Sequence, residues 1–156
     1  YPEQIELFAV HDEGSILLKD QHIIPIETPE FYHYLSAILL DADYYKLLMQ
    51  YTTVMDGLHI ATPEVLIPLK MYAHLNLMES PHHYDGKHLK DVIKLSALLG
   101  DDSQVTLLGR PKEDIARFMP LLEQEDPKKI KQILGSMNVH NLNKDAVLGI
   151  LTSVYR

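Results

Sequence analysis

The segment 57–99 carries the side chains of this chain that are best placed to do chemistry. It contains one lysine in an apolar stretch, Lys70, and a second stretch that combines further lysines with an acid: Lys87, Lys90, Asp91 and Lys94. Ammonium groups bind phosphates and carboxylates as compact point charges. The pattern therefore indicates a site for an anionic ligand.

Each half of this pattern also has an ordinary structural explanation. A lysine such as Lys70, on an otherwise apolar helix face, usually keeps its ammonium group in water, and spacing alone favours that explanation. Lys87, Asp91 and Lys94 share one helical face at i, i+4 and i+7, with Lys90 at its edge. That face is either a solvent-exposed surface with a weak Lys87–Asp91 ion pair or a basic surface opposite Lys70. Spacing does not choose between the two.

Histidines and a strand carboxylate offer two other kinds of site. Imidazole and carboxylate groups crowd one loop and the helix before it: His74, Glu79, His82, His83, Asp85 and His88. Their spacing matches no zinc pattern, so we predict that these side chains hold no zinc ion. Glu6 lies between Ile5 and Leu7 in a strand-like run, where it is either paired inside the protein or directed to water from an edge strand.

Composition limits the classes of function. The chain has 156 residues, no cysteine and a net charge of -8. The absence of cysteine excludes disulfides and thiolate zinc sites and fits a cytoplasmic location. The negative charge argues against broad nucleic-acid binding, and no apolar run is long enough for a bilayer. Because the chain starts with Tyr1 and enters a strand at once, we expect a fragment of a longer protein.

Hydrophobic periodicity predicts an α+β fold that is predominantly helical, with a small N-terminal β-sheet or hairpin and about five to six helices. We expect a single domain, 1–156, made of a β element (1–27), core helices (28–100) and C-terminal helices (101–156). Thr-Pro-Glu start signals at Thr28 and Thr62 open two of the helices. The first is predicted to run from Thr28 past Tyr45 on helically spaced apolar residues.

The third helix is predicted over 87–99. Its inward face is expected to consist of Leu89, Val92, Ile93 and Ser96. Shorter helices are expected after Pro111, after Pro127 and after Asn143.

Two segments of this helical part resemble a known family. TPEVLIPLKMYAHLNL followed by GKHLKDVIKLSALL is similar to the downstream half of nucleotidyltransferase-fold proteins, in particular the AbiEii-like toxin and uncharacterised nucleotidyltransferase group of bacteria. In that group a P-x-x-L-x-x-L-K-x-x-A helix precedes a K-D-x-x-D-L helix. Here Lys70 occupies the lysine position of the first, and Lys90-Asp91 begins the second, with Lys94 in place of the second acid.

The resemblance implies transfer of a nucleotide from a nucleoside triphosphate to a hydroxyl-bearing acceptor, with Mg²⁺ as cofactor. Glu6, in Ile5-Glu6-Leu7, would match the family's third acidic strand and act on the acceptor hydroxyl or on a metal ion. Lys70 and Asp91 would complete the catalytic set. Lys87 and Lys90 would bind substrate, with Lys90 and Asp91 organising the site from the second helix.

The family's metal-binding motif is missing from this chain. Its Gly-Ser turn and D-x-D carboxylates precede the third acidic strand, where this chain has only Tyr1 to Gln4. The resemblance therefore implies that the Mg²⁺ ligands lie mostly outside this chain and that the chain alone is inactive. The competing hypothesis is a non-catalytic helical module that packs a partner protein with its apolar helix faces.

Overall fold

The structure is a computed structural model, which describes residues 7–10, 23–25, 36–79 and 84–156. The chain divides into two compact units, 1–49 and 50–156. The single domain expected from the sequence stays a prediction. Glu6 and the start signal at Thr28 lie outside the described residues.

The first unit contains a three-stranded sheet. Strands β1 (Leu7–Val10), β2 (Ile23–Pro25) and β3 (Ser36–Leu40) are ordered β1-β3-β2, with β1 parallel and β2 antiparallel to β3. Helix α1 (Ala42–Gln50) follows at once, and the Asp41 carboxylate caps it by accepting the Tyr44 amide at 2.9 Å.

The predicted first helix is therefore wrong over 36–40. The apolar spacing there fits a helix, but the backbone of β3 pairs with a strand on each side. Such pairing is non-local and outweighs local helical preference. Leu39 and Leu40 are both buried, so this strand lacks the alternation that marks a half-exposed one.

The second unit begins with a hairpin that the periodicity did not predict. Strands β4 (Thr52–Met55) and β5 (Leu58–Ala61) are antiparallel. Asp56 and Gly57 form the turn, with φ of 52° and 80°. Two successive residues with positive φ give the turn twist that matches a tight hairpin, and Asp-Gly is a favoured pair for it.

Five helices follow the hairpin in the described part of the chain. They are α2 (Pro63–Met78), α3 (Lys87–Ser96), α4 (Gly109–Gln124), α5 (Pro127–Gly135) and α6 (Lys144–Val154). Helix α2 packs against α3 and α4, while α5 and α6 pack against α3. The predicted inward face of α3 is confirmed, because Leu89, Val92, Ile93 and Ser96 are all buried.

A tertiary hydrogen bond compensates for the proline inside α2. Pro68 has no amide hydrogen to donate to the carbonyl four residues earlier, which belongs to Glu64. The hydroxyl of Tyr155, at the end of α6, donates to that carbonyl at 3.0 Å. Tyr155 is held in place by a parallel bridge with Val105. The C-terminus of the chain thus supports the first turns of α2.

The fold class predicted from the sequence is confirmed: the described chain is a helix-dominated α+β protein with six helices and a small N-terminal sheet. Within the described ranges, no helix combines the length and the apolar character that a bilayer crossing requires.

Candidate functional site

Helices α2 and α3 bring together the two residues that the family resemblance selects. Lys70 Nζ lies 3.7 Å from Asp91 Oδ2. The two side chains are 20% and 27% exposed, so the pair lies at the surface of the α2–α3 interface with access to solvent. A ligand anion can reach this ammonium group without entering the core.

A histidine also lies near this carboxylate. His88 Nδ1 is 3.8 Å from Asp91 Oδ2, one turn earlier on α3. The same carboxylate oxygen therefore approaches both Lys70 and His88.

The other lysines of α3 lie at or near the surface. Lys87 is exposed, and Lys90 and Lys94 are half-buried. Lys87 begins the helix, where its amide donates to Asp85 Oδ1 at 2.9 Å. These lysines add positive charge to the helix that carries Asp91.

Tyr84 connects α3 to α2 on the same side of the interface. Its hydroxyl accepts a hydrogen bond from the His88 backbone amide at 2.7 Å. The same hydroxyl lies 3.0 Å from His74 Nδ1, and the Tyr84 ring stacks on the His88 ring with 5.9 Å between centroids. Since His74 is one turn after Lys70 on α2, one face of that helix carries both contacts to α3.

The surroundings of His74 and Tyr84 favour the uncharged form of both side chains. Burial lowers the pKa of His74, and the nearby charges of His88 and Lys129 lower it further, against an opposing effect of Glu125. Burial likewise raises the pKa of the Tyr84 hydroxyl, and the carboxylates of Asp85 and Asp91 add to that effect, whereas hydrogen bonds from the backbone oppose it. An uncharged phenol and an uncharged imidazole therefore face each other at neutral pH.

A second charged cluster joins α2 to α4. Asp114 is buried on α4 and lies 3.4 Å from Arg117 Nη1 and 3.7 Å from Arg110 Nε. Arg117 Nη2 also contacts Glu79 Oε1 at 2.6 Å. The Arg110 guanidinium sits 4.8 Å from the centre of the Tyr72 ring, within cation–π range. These contacts indicate that the cluster has a structural role, which is to hold α4 against α2.

The remaining predicted site residue, Glu6, lies outside the described part of the chain, as do two histidines of the loop before α3, His82 and His83. Among the residues that the structure describes, no group of three or more His, Cys, Asp and Glu side chains could hold a metal ion. These described residues therefore offer no site that fits Mg²⁺.

Sequence reasoning missed Tyr84. It lies in the loop before α3, and nothing in its immediate neighbours shows that its hydroxyl reaches α2. The position of His74, four residues after Lys70, was a usable signal that this face of α2 meets another polar group.

Comparisons with known proteins give no match: no family model, no curated protein and no solved structure is significantly similar to this chain.

Proposed function

We propose that this chain forms one wall of a nucleotidyltransferase active site, which transfers a nucleotide from a nucleoside triphosphate to a hydroxyl-bearing acceptor. The observation that supports the proposal is the 3.7 Å approach of Lys70 Nζ to Asp91 Oδ2. The two motifs of the resemblance mark these residues, which come from two different helices, α2 and α3.

In this proposal Lys70 binds the triphosphate. The support is that its ammonium group is partly exposed to solvent, and ammonium groups bind phosphate oxygens through charge-assisted hydrogen bonds. Asp91 fixes the lysine when no ligand is bound, and Lys87 and Lys90 add positive charge for the anionic substrate. Glu6 is assigned to the acceptor hydroxyl by the resemblance alone.

The reaction would be an in-line displacement at phosphorus. The acceptor oxygen forms a bond to the α-phosphorus, the bond from that phosphorus to the bridging oxygen breaks, and pyrophosphate leaves. The hydroxyl proton passes to a carboxylate base. The Mg²⁺ that the resemblance implies would be held by ligands that lie mostly outside this chain. The lack of cysteine supports a reducing compartment, and we place the activity in the cytoplasm.

The test uses protein expressed from the full reading frame that encodes this chain. It is incubated with each α-³²P-labelled nucleoside triphosphate and Mg²⁺, and labelled product and pyrophosphate are measured together. We expect both to form with at least one nucleotide and to fall by at least about tenfold in Lys70→Met, since charge-assisted hydrogen bonds are worth about 1.5–3 kcal/mol. Lys112→Met removes an exposed lysine on α4 and serves as the matched control.

Two results would overturn the proposal. One is a reading frame that encodes neither a Gly-Ser turn nor a D-x-D motif before Glu6. The other is full activity in Lys70→Met. In either case the Lys70–Asp91 pair is a structural connection between α2 and α3, and the non-catalytic interaction module becomes the better hypothesis.

A further inference from the structure

The hydroxyl of Tyr84 performs two tasks at the start of α3. It accepts the His88 amide at 2.7 Å, which is one of the first-turn amides that have no partner within the helix. The same oxygen is 3.0 Å from His74 Nδ1 on α2. A side chain that caps one helix while bonded to another fixes the position of the first helix against the second.

The number of donors and acceptors allows two proton arrangements. A tyrosine hydroxyl has one proton and two lone pairs. With one lone pair used by the His88 amide, the hydroxyl either donates its proton to His74 Nδ1 or accepts the Nδ1 proton on its second lone pair, according to the His74 tautomer. Both arrangements keep Tyr84 bonded to α2.

The same connection leads to the Lys70–Asp91 pair. The Tyr84 ring stacks on the His88 ring, at an interplanar angle of 24°. The His88 ring in turn lies close to Asp91, whose Oδ2 is 3.8 Å from His88 Nδ1 and 3.7 Å from Lys70 Nζ. A shift of the first turn of α3 would therefore move Asp91 relative to Lys70.

We propose that Tyr84 is a positioning residue, which holds α3 so that Asp91 faces Lys70. The bond to His74 persists in either protonation state of the imidazole, because a protonated Nδ1 can donate to the second lone pair of the Tyr84 hydroxyl.

The first measurement is amide exchange by NMR on ¹⁵N-labelled protein, expressed as protection relative to the intrinsic rate at each pH. In Tyr84→Phe, the ring stays and the hydroxyl is lost. We expect the protection of the His88 amide to fall about twofold to tenfold, the factor that one hydrogen bond contributes. The matched control is Tyr51→Phe, which loses a hydroxyl that donates to the Gln104 carbonyl at 3.3 Å.

The second measurement separates positioning from local capping. Acetylation of Lys70 by acetic anhydride is compared with that of the exposed Lys112 in the same sample by mass spectrometry. We expect the Lys70-to-Lys112 ratio to rise about twofold to tenfold in Tyr84→Phe and to stay constant in Tyr51→Phe. Unchanged His88 protection refutes the connection, and lost protection with an unchanged ratio refutes the positioning role.

Wild-type protein gives a test even if Tyr84→Phe does not fold. The His88 amide should be protected from exchange although it lies in the first turn of α3, and exchange at the intrinsic rate would contradict the cap. This inference depends on the proposed function only where it concerns what the Lys70–Asp91 pair binds. Because no measurement here uses a nucleotide, failure of nucleotide transfer would be distinguishable from failure of this inference.

Discussion

The hydroxyl of Tyr155 does the work of an amide that α2 lacks, and its removal should destabilise the protein to an extent that depends on Pro68. The Glu64 carbonyl receives no helical hydrogen bond from residue 68, because proline has no N–H. Tyr155 donates to this carbonyl at 3.0 Å and is itself 7% exposed. Tyr155→Phe keeps the ring and removes this donor.

The magnitude follows from the surroundings of this hydrogen bond, which is partly buried. A carbonyl that loses its donor away from water costs about 1–3 kcal/mol. We expect Tyr155→Phe to lower the free energy of unfolding by about 1.5 kcal/mol. In the Pro68→Ala background, the new backbone amide can donate to Glu64, so the same substitution should cost only about 0.5 kcal/mol. The coupling energy between the two sites is then about 1 kcal/mol.

Urea unfolding of the four proteins of this cycle, followed by far-UV circular dichroism, measures the coupling. Tyr51→Phe is the control, with an expected loss below about 0.5 kcal/mol because its bond is exposed. An equal loss from Tyr155→Phe in both backgrounds would show that the hydroxyl does not replace the missing amide.

Three further predictions concern the packing around α4 and His74. Asp114→Asn should lower the free energy of unfolding by about 1–3 kcal/mol, because the Asp114 side chain is only 6% exposed. Glu79→Gln should lower it by less than about 0.5 kcal/mol, because the Glu79 side chain is 68% exposed, although its contact with Arg117 is the shorter one. Urea unfolding that ranks the two variants in the reverse order would contradict this. Phe118→Ala should cost about 3–5 kcal/mol, since the ring is fully buried; a loss below about 1 kcal/mol, measured in the same way, would refute its place in the core. The pKa of His74 is lowered in the folded protein, so neutral His74 contributes to the free energy of unfolding above pH 6.5. This contribution is lost as the pH falls through the pKa of His74 in the folded protein. Thermal unfolding measured across pH should show a smaller loss of stability at low pH in His74→Phe than in wild type. An identical pH dependence in the two proteins would contradict this prediction.

Local signals predicted the helices that carry the candidate site. Thr62-Pro63 marked the start of α2, and the apolar spacing of α3 gave its buried face. The strand β3 could not be found in this way, because its structure depends on partners that are distant in sequence. The hairpin of β4 and β5 was open to prediction, since Asp56-Gly57 lies between two strand-like runs.

The candidate site was only partly accessible from sequence. The motifs selected Lys70 and Asp91, but their approach depends on how α2 packs against α3, and periodicity does not give that geometry. The contact of Tyr84 with His74 depends on the same packing. Glu6 stays a prediction of the resemblance.

The central claim is that Lys70 binds the triphosphate of a nucleotide. The most direct measurement is isothermal titration of protein from the full reading frame with Mg²⁺ complexes of ATP, GTP, CTP and UTP, using wild type, Lys70→Met and the control Lys112→Met. We expect at least one nucleotide to bind wild type and the control equally, and Lys70→Met about 10- to 100-fold more weakly. Binding that is unaffected by Lys70→Met, or no binding of any of the four nucleotides, would contradict the claim.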